Sequence, residues 1–209
     1  MNPSQLRLYL VTDSGLTAGR DLADIVMQAV AGGATMVQLR EKHGTTRQFV
    51  DLAVRLKGLL APKGVPLIIN DRLDVALAAD ADGLHIGQTD MPYPIARRLL
   101  GKDKIIGLSV ENIEQVRQAN DMDVDYIGVS PVFDTATKSD TAKAFGIEGL
   151  RQAAALSRHP AVAIGGMNLD TAGAAMRAGA AGIAVVSAIV AAADPRQAAQ
   201  RLIDMIDNV

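Results

Sequence analysis

Cysteine is absent from the 209-residue chain, and aromatic residues make up only 3% of it. Without cysteine, the protein has no disulfides, no thiolate nucleophile and no thiolate ligands for a metal. With so few aromatic side chains, the core must be built from Ala, Val, Leu and Ile, which suits closely packed helices and parallel strands. The apolar share of 49% is ample for a substantial core.

The chain also lacks a clear excess of charge of either sign. The chain has 21 basic and 23 acidic residues, and no long run of either sign occurs, so neither a nucleic-acid surface nor an anionic membrane partner is indicated. No window approaches the roughly 18 apolar residues of a membrane span. The first residues, MNPSQLRLYLVTD, lack a basic segment followed by an apolar stretch. These absences predict a cytoplasmic protein.

Short apolar runs recur along the chain and are typical of buried strands; they lie at 8–11, 35–39, 66–69, 83–86, 104–108, 126–129, 161–164 and 182–186. Segments with helical spacing lie between them, and Asn168 and Asp194 stand where a short polar side chain can cap a helix. Eight alternations of strand and helix predict an α/β fold, a single-domain (βα)8 TIM barrel over residues 1–209. A doubly wound open sheet is the alternative, but LVTDSGLTAGRD has no GxGxxG turn.

Polar residues collect after the predicted strands, where the loops of a barrel converge on the catalytic face. Asp71 and Asp90 follow neighbouring strands and suit Mg²⁺, which is usually held by one or two carboxylates plus phosphate oxygens and water. Arg40, Lys42 and Lys138 supply three positive charges that can surround a diphosphate. Together these residues predict a magnesium–diphosphate site.

Each of these residues also has an ordinary structural interpretation. Arg40 and Lys42 alone would be read as a solvated loop pair, and Asp71 and Asp90 alone as helix caps. Ser109 is as well explained by a cap before ENIEQV as by a ligand role, and His85, inside an apolar run, as a packed and hydrogen-bonded core residue. The convergence of five strand ends on one face favours the functional interpretation.

A second anion site is predicted on the other side of the same face. AIGGM precedes the helix NLDTAGAAM, and VVSAI opens another turn, as in the phosphate cradle that barrels build after strands seven and eight. Gly165 and Gly166 let backbone N–H groups approach an anion, and Ser187 sits at the following helical start. Read alone, the two glycines are equally compatible with a tight turn. Two anion sites facing one cavity imply two phosphorylated substrates or one bisphosphate.

Seven segments, in this order and spacing, resemble the thiamine-phosphate synthase (thiamine-phosphate pyrophosphorylase) family: YLVTD, QLREK, INDRLDVALAADADGLHIGQTD, IIGLSV, DYIGVSPVFDTATKSD, AIGGMN and VVSAI. The resemblance covers essentially the whole chain. It implies a (βα)8 barrel that joins a hydroxymethylpyrimidine diphosphate to a hydroxyethylthiazole phosphate, with Mg²⁺ as cofactor and thiamine phosphate and diphosphate as products. The implied mechanism is dissociative, through a pyrimidinylmethyl cation, and requires no protein nucleophile.

The resemblance also implies a role for individual residues. Gln38 would face the aminopyrimidine, and Asp71 and Asp90 would bind magnesium. The diphosphate would be held by Arg40, Lys42, Asn70, Ser109 and Lys138, of which all except Asn70 are assigned as catalytic. The thiazole phosphate would be held by Thr135, Thr137, Gly166, Val186 and Ser187.

Ser130 is a departure from the family pattern, which has Gly before Pro131. The hydroxyl is expected near the thiazole phosphate, and ATKSDTAKAF is predicted to form a mobile lid. Two alternatives stay open: a thiazole tautomerase of the same superfamily, and a non-catalytic phosphate-binding barrel. Retention of the full cation and carboxylate set argues against both. No stretch indicates an oligomer interface, so a homodimer is left open.

Overall fold

In a computed structural model, residues 1–134 and 143–209 are described, and within them eight parallel strands close into a barrel in sequence order, β8 pairing with β1. The strands are β1 Leu8–Val11, β2 Met36–Leu39, β3 Leu67–Asn70, β4 Gly83–Ile86, β5 Ile105–Val110, β6 Tyr126–Val129, β7 Ala161–Ile164 and β8 Gly182–Val185. The predicted fold is confirmed, and every apolar run coincides with a strand. The open-sheet alternative is wrong.

The helices of the described ranges surround this barrel. They are α1 Leu22–Ala31, α2 Thr46–Leu60, α3 Leu73–Ala78, α4 Tyr93–Leu100, α5 Ile113–Ala119, α6 Gly146–Leu156, α7 Leu169–Arg177, α8 Ser187–Val190 and α9 Pro195–Asp207, with 3-10 helices at Pro3–Leu6, Ser14–Leu16 and Ala61–Lys63. Asn168 and Asp194 cap α7 and α9 as predicted, because each side chain accepts a hydrogen bond from a free N–H of the first turn. No helix in the described part of the chain is long and apolar enough to cross a membrane.

Alternation along each strand divides the core in two. Outward residues pack against the helices in a large aliphatic layer. Inward residues fill the barrel in a second cluster, which consists of Leu6, Tyr9, Val11, Met36, Ile68, Tyr126, Val162 and Ala184. Leu6, from the N-terminal 3-10 helix, is fully buried. The polar side chains of the interior lie towards the other end, where the strands finish.

Candidate active site

A cavity of about 470 Å³ opens at the C-terminal ends of the strands, a volume within the ordinary range for small-molecule sites. Every predicted site residue in the described ranges lines it: Gln38, Arg40, Lys42, Asn70, Asp71, Asp90, Ser109, Gly166, Val186 and Ser187. Thr135, Thr137 and Lys138 lie outside the described residues, as does most of the predicted lid segment. Strands β2, β3, β4 and β5 thus bring the expected cations and carboxylates to one place.

Arg40 is held in position by the first strand's loop. Its Nη1 donates to Asp13 Oδ2 at 2.9 Å, and both side chains are about one-fifth exposed. The backbone N–H of Arg40 donates to the hydroxyl of the buried Thr12 at 3.0 Å. The guanidinium is therefore an ordered, partly buried charge, and the interpretation of Arg40 as a solvated loop residue is wrong.

Lys42, Asp71 and Asp90 form a connected group at the cavity rim. Lys42 Nζ donates to Asp71 Oδ2 at 2.7 Å, the two carboxyl groups hydrogen bond to each other, and Asp90 Oδ2 accepts from the N–H of Gly87 at 2.7 Å. Burial would raise the pKa of Asp71, but the hydrogen bonds from Lys42 and Asp90 outweigh it and hold the pKa below its usual value. Burial and the neighbouring Asp71 raise the pKa of Asp90. The two carboxyl groups therefore titrate as a coupled pair, in which the pKa of Asp90 lies above the usual value and that of Asp71 below it.

Asp71 also has a left-handed backbone, with φ of 62°. A non-glycine residue in this region carries a conformational cost, and such residues cluster at functional sites. The conformation is fixed by a hydrogen bond of 2.9 Å from the Asp71 N–H to the carbonyl of His85 on β4. Strand pairing therefore turns the Asp71 carboxylate back towards the cavity and towards Asp90.

The capping interpretations of these residues are not supported. Helices α3 and α4, which follow Asp71 and Asp90, begin without a side-chain cap. Ser109 lies within β5, and α5 is capped by Asn112, whose side chain accepts from the Gln115 N–H. The side chains of Asp71, Asp90 and Ser109 therefore do not cap these helices, and all three residues line the cavity.

The carboxylate pair fits a magnesium ion. Asp71 and Asp90 face the cavity together, and the ammonium of Lys42 already occupies a position beside Asp71 that a cation would favour. No group of three or more His, Cys, Asp or Glu residues in the described ranges forms a complete metal site. One or two carboxylates are the usual protein ligands of Mg²⁺ when phosphate oxygens and water supply the others.

Five polar side chains form a hydrogen-bond chain across the floor of the cavity. Gln38 Nε2 donates to the Tyr9 hydroxyl at 2.8 Å, and this hydroxyl lies 2.8 Å from that of Tyr126. His85 Nδ1 lies 2.9 Å from the Tyr126 hydroxyl, and its Nε2 lies 2.8 Å from Ser109 Oγ. His85 is 9% exposed, as expected for a hydrogen-bonded core histidine.

Tyr9 and Tyr126 were not identified from the sequence as residues of the site. Both lie inside apolar runs and are buried, so the runs alone describe them as core. The sequence nevertheless contains a signal that these two tyrosines are special, because the chain has only three tyrosines and two of them fall on barrel strands. A buried tyrosine hydroxyl requires a hydrogen-bond partner, and that partner had to lie inside the barrel.

The other wall of the cavity is built from β7, β8 and their loops. Gly165 and Gly166 have φ of 94° and 68°, so the chain turns sharply there in a conformation that favours glycine. Val186 and Ser187 stand at the start of the short helix α8. The end of this helix is held by the Arg20 guanidinium, which donates to the carbonyls of Val190 and Ala192.

Ser130, the departure from the family pattern, lines the cavity near this wall. Its backbone N–H donates to the carbonyl of Val110 at 3.0 Å, in continuation of the pairing between β6 and β5. The residue that departs from the family pattern therefore belongs to the cavity lining.

Comparison with known proteins agrees with this geometry. The thiamine monophosphate synthase family matches residues 8–189. A thiamine-phosphate synthase of Albidiferax ferrireducens is 55% identical over 98% of this chain and 93% of its own length, and one of Chloroflexus aurantiacus is 53% identical over 94% and 90%. The solved thiamine phosphate pyrophosphorylase of Pyrococcus furiosus superposes with a TM-score of 0.91 at 36% identity, over 99% of this chain and 98% of that one. The resemblance seen in the sequence is confirmed: the chain belongs to the thiamine monophosphate synthase family.

Proposed function

We propose that the protein is a transferase that couples 4-amino-2-methyl-5-(diphosphooxymethyl)pyrimidine to 4-methyl-5-(2-phosphoethyl)thiazole, or its carboxylated form, and releases thiamine phosphate and diphosphate. The observation that carries this proposal is the composition of one cavity. Two ordered cations and a carboxylate pair lie at one side, and a glycine turn with a helical start lies at the other. The names of relatives more than 50% identical support the same activity.

The diphosphate end lies at β2 to β5 in this proposal. Arg40 and Lys42 neutralise the departing diphosphate, the first as a planar fork and the second as a point charge. Asn70 and Ser109 donate hydrogen bonds to it, and Lys138 adds a third cation. Gln38, buried at the floor, binds the aminopyrimidine edge.

Asp71 and Asp90 would hold a magnesium ion beside this group. When bound, Mg²⁺ supplies a divalent positive charge that stabilises the diphosphate leaving group. The protein's own contribution is to keep the two carboxylates side by side and to hold the Lys42 ammonium next to them.

The thiazole phosphate lies at the opposite wall in this proposal. The residues that bind it are Thr135, Thr137, Gly166, Val186 and Ser187, the last three partly through backbone N–H groups. Both substrates then share one water-restricted cavity, where proximity replaces a bimolecular encounter.

The chemistry follows a dissociative course in which no protein nucleophile takes part. The bond between the pyrimidinylmethyl carbon and the diphosphate oxygen breaks first, and the electron pair leaves with the diphosphate. The cation that remains is stabilised by its 4-amino group and is then attacked by the thiazole nitrogen. The protein lowers the barrier by stabilising the charge on the leaving group and by aligning the second substrate.

A direct assay tests the activity. Purified protein with both substrates and Mg²⁺ should form thiamine phosphate and diphosphate in equal amounts, and Asp90→Ala should lower turnover strongly while thiazole-phosphate binding is retained. No product at any magnesium concentration would reject the proposal. Isomerisation of a carboxythiazole phosphate alone would indicate a tautomerase, and phosphate binding without turnover a non-catalytic barrel.

The remaining predictions belong to this proposal. The protein is expected to act in the cytoplasm as one domain over residues 1–209 on two small phosphorylated substrates, without nucleic-acid or membrane partners. A homodimer is the open alternative to a monomer, and sedimentation of the purified protein distinguishes the two.

A further inference from the structure

The hydrogen-bond chain at the cavity floor joins the two parts of the proposed pyrimidine site. Its members come from β2, β1, β6, β4 and β5 in that order, so it crosses the barrel from the Gln38 amide to the Ser109 hydroxyl. Both end residues line the cavity, and the three in between are at most 9% exposed. We call Tyr9, Tyr126 and His85 the relay.

The hydrogens of the relay favour one direction. Gln38 Nε2 donates to the Tyr9 oxygen, so the remaining Tyr9 contact, the Tyr126 hydroxyl, must accept the Tyr9 proton. Tyr126 then donates its own hydrogen bond to His85 Nδ1. The imidazole therefore carries its hydrogen on Nε2, and that hydrogen points at Ser109 Oγ.

The opposite direction leaves a buried donor unsatisfied. If Tyr126 donated to Tyr9, the Tyr9 oxygen would accept from both neighbours, and its own proton would have no acceptor among the contacts of the described residues. A buried unpaired donor costs about 1–3 kcal/mol. Burial raises the pKa of both tyrosines well above the ordinary value. Each hydroxyl therefore keeps its single proton and donates one hydrogen bond.

The sequence makes room for the contact between Tyr126 and His85. In the strand register, His85 and Tyr126 both pair with Gly107, from β4 and β6 on either side of β5. A Cβ at position 107 would lie 2.1 Å from Tyr126 Cζ and 2.6 Å from His85 Nδ1. Only a residue without a side chain allows the two flanking rings to meet across the middle strand.

We propose that the relay is a one-way hydrogen-bond path in which Tyr126 and His85 are positioning residues that commit Ser109 to donate its proton towards the diphosphate. Because His85 Nε2 is a donor, Ser109 Oγ accepts from it, and the serine hydrogen is left for the cavity. The identity of the group that receives this hydrogen rests on the proposed function. The same direction leaves Gln38 Oε1 to accept from the pyrimidine amino group.

This direction of the hydrogen bonds distinguishes Ser109 from a serine nucleophile that a histidine activates. A histidine that activates serine must accept the serine proton at the nitrogen that faces it. Here that nitrogen, His85 Nε2, already carries hydrogen, so His85 takes no proton from Ser109. Ser109 is thereby a fixed donor and not an attacking group, in agreement with a dissociative reaction.

Nitrogen-15 NMR of protein labelled at histidine tests the direction without any variant. The chain has three histidines, and His159, whose Nε2 faces the Ala119 carbonyl at 2.9 Å, is an internal standard for an Nε2–H ring. His85 should show the same Nε2–H tautomer at neutral pH. An Nδ1–H tautomer, or a ring protonated on both nitrogens, would overturn the proposal.

Two matched variants test the effect on catalysis. Tyr126→Phe removes the donor to His85, and kcat/KM for the pyrimidine diphosphate should fall about tenfold or more, the loss expected for a hydrogen bond to a charged group. Tyr93→Phe removes the hydroxyl of the third tyrosine, which accepts from the Asp123 N–H and does not line the cavity, so kcat should be retained.

In both variants the KM for the thiazole phosphate should be unchanged. Equal losses of kcat in the two variants, or none in Tyr126→Phe, would contradict the relay. If the unmodified protein forms no thiamine phosphate, the proposed function fails instead, and the NMR measurement still decides the direction of the relay.

Discussion

The two carboxylates of the proposed magnesium site should respond differently to the same isosteric substitution. Asp71 is the charged member, because its pKa is lowered and it accepts from the Lys42 ammonium at 2.7 Å. Asp90 has a raised pKa, so it loses its proton at a higher pH than Asp71 does. Asn in place of Asp90 preserves a donor and an acceptor, whereas Asn in place of Asp71 removes the charge that Lys42 faces.

The expected loss of stability in each variant follows from the solvent exposure of the side chains. The Lys42 side chain is 49% exposed and that of Asp71 25%, so solvent screens their pair, and its loss should cost about 1 kcal/mol. For a protein of this size, that lowers the melting temperature by about 2–4 °C. Asp90→Asn should stay within about 0.5 kcal/mol of the unmodified protein. Asparagine also tolerates the left-handed backbone at position 71, so strain does not obscure the comparison.

Thermal unfolding in the presence of a chelator, followed by titration with Mg²⁺, measures both effects. Without metal, Asp71→Asn should melt lower and Asp90→Asn should not. With metal, both variants should lose the stabilisation that the unmodified protein gains from binding. Equal destabilisation of the two variants in chelator would refute the different roles of the two carboxyl groups, and full magnesium stabilisation of either would refute the assignment of the metal ligands.

Three further predictions concern other parts of the site. A carboxylate must be deprotonated to bind Mg²⁺ and the pKa of Asp90 is raised, so magnesium affinity measured by calorimetry should rise with pH through that pKa and then level off; a pH-independent affinity would contradict the pairing. Ser187→Asp should raise the KM for the thiazole phosphate about tenfold or more by charge repulsion, with little change for the pyrimidine substrate. Gly107→Ala should destabilise the protein by about 1–3 kcal/mol through overpacking against Tyr126 and should lower kcat, whereas retained stability would show that the rings can separate.

The barrel could be predicted from the sequence because its signal is local. Each strand is a short apolar run bounded by polar or small residues, and β7 at Ala161–Ile164 was located as accurately as β1 at Leu8–Val11. The site residues could be predicted from the sequence for a related reason. In a parallel barrel, the residues that follow the strands must share one face, so the polar residues after β2, β3 and β4 could be grouped without coordinates.

The partners of those residues could not be predicted in the same way. Asp13 holds Arg40 across 27 positions of sequence, and nothing in the local pattern distinguishes Asp13 from any other loop carboxylate. Glu41 likewise accepts from the Ser14 hydroxyl and the His43 N–H, both at 2.9 Å, and thereby joins the loops after β1 and β2. Such contacts depend on strand register and loop conformation, which a single sequence does not specify.

The pairing of each ordered cation with its own carboxylate explains how a site for a highly charged substrate persists in the free protein. Arg40 faces Asp13, and Lys42 faces Asp71, so each of these two cations at the partly buried mouth has a compensating carboxylate. The two pairs differ in what can separate them. Asp13 hydrogen bonds within its own loop and stays with Arg40, which has further N–H donors available for a diphosphate. Asp71 faces Lys42 and Asp90 together, so a divalent cation bound between the carboxylates would release the Lys42 ammonium towards the leaving group, coupling metal binding to diphosphate binding.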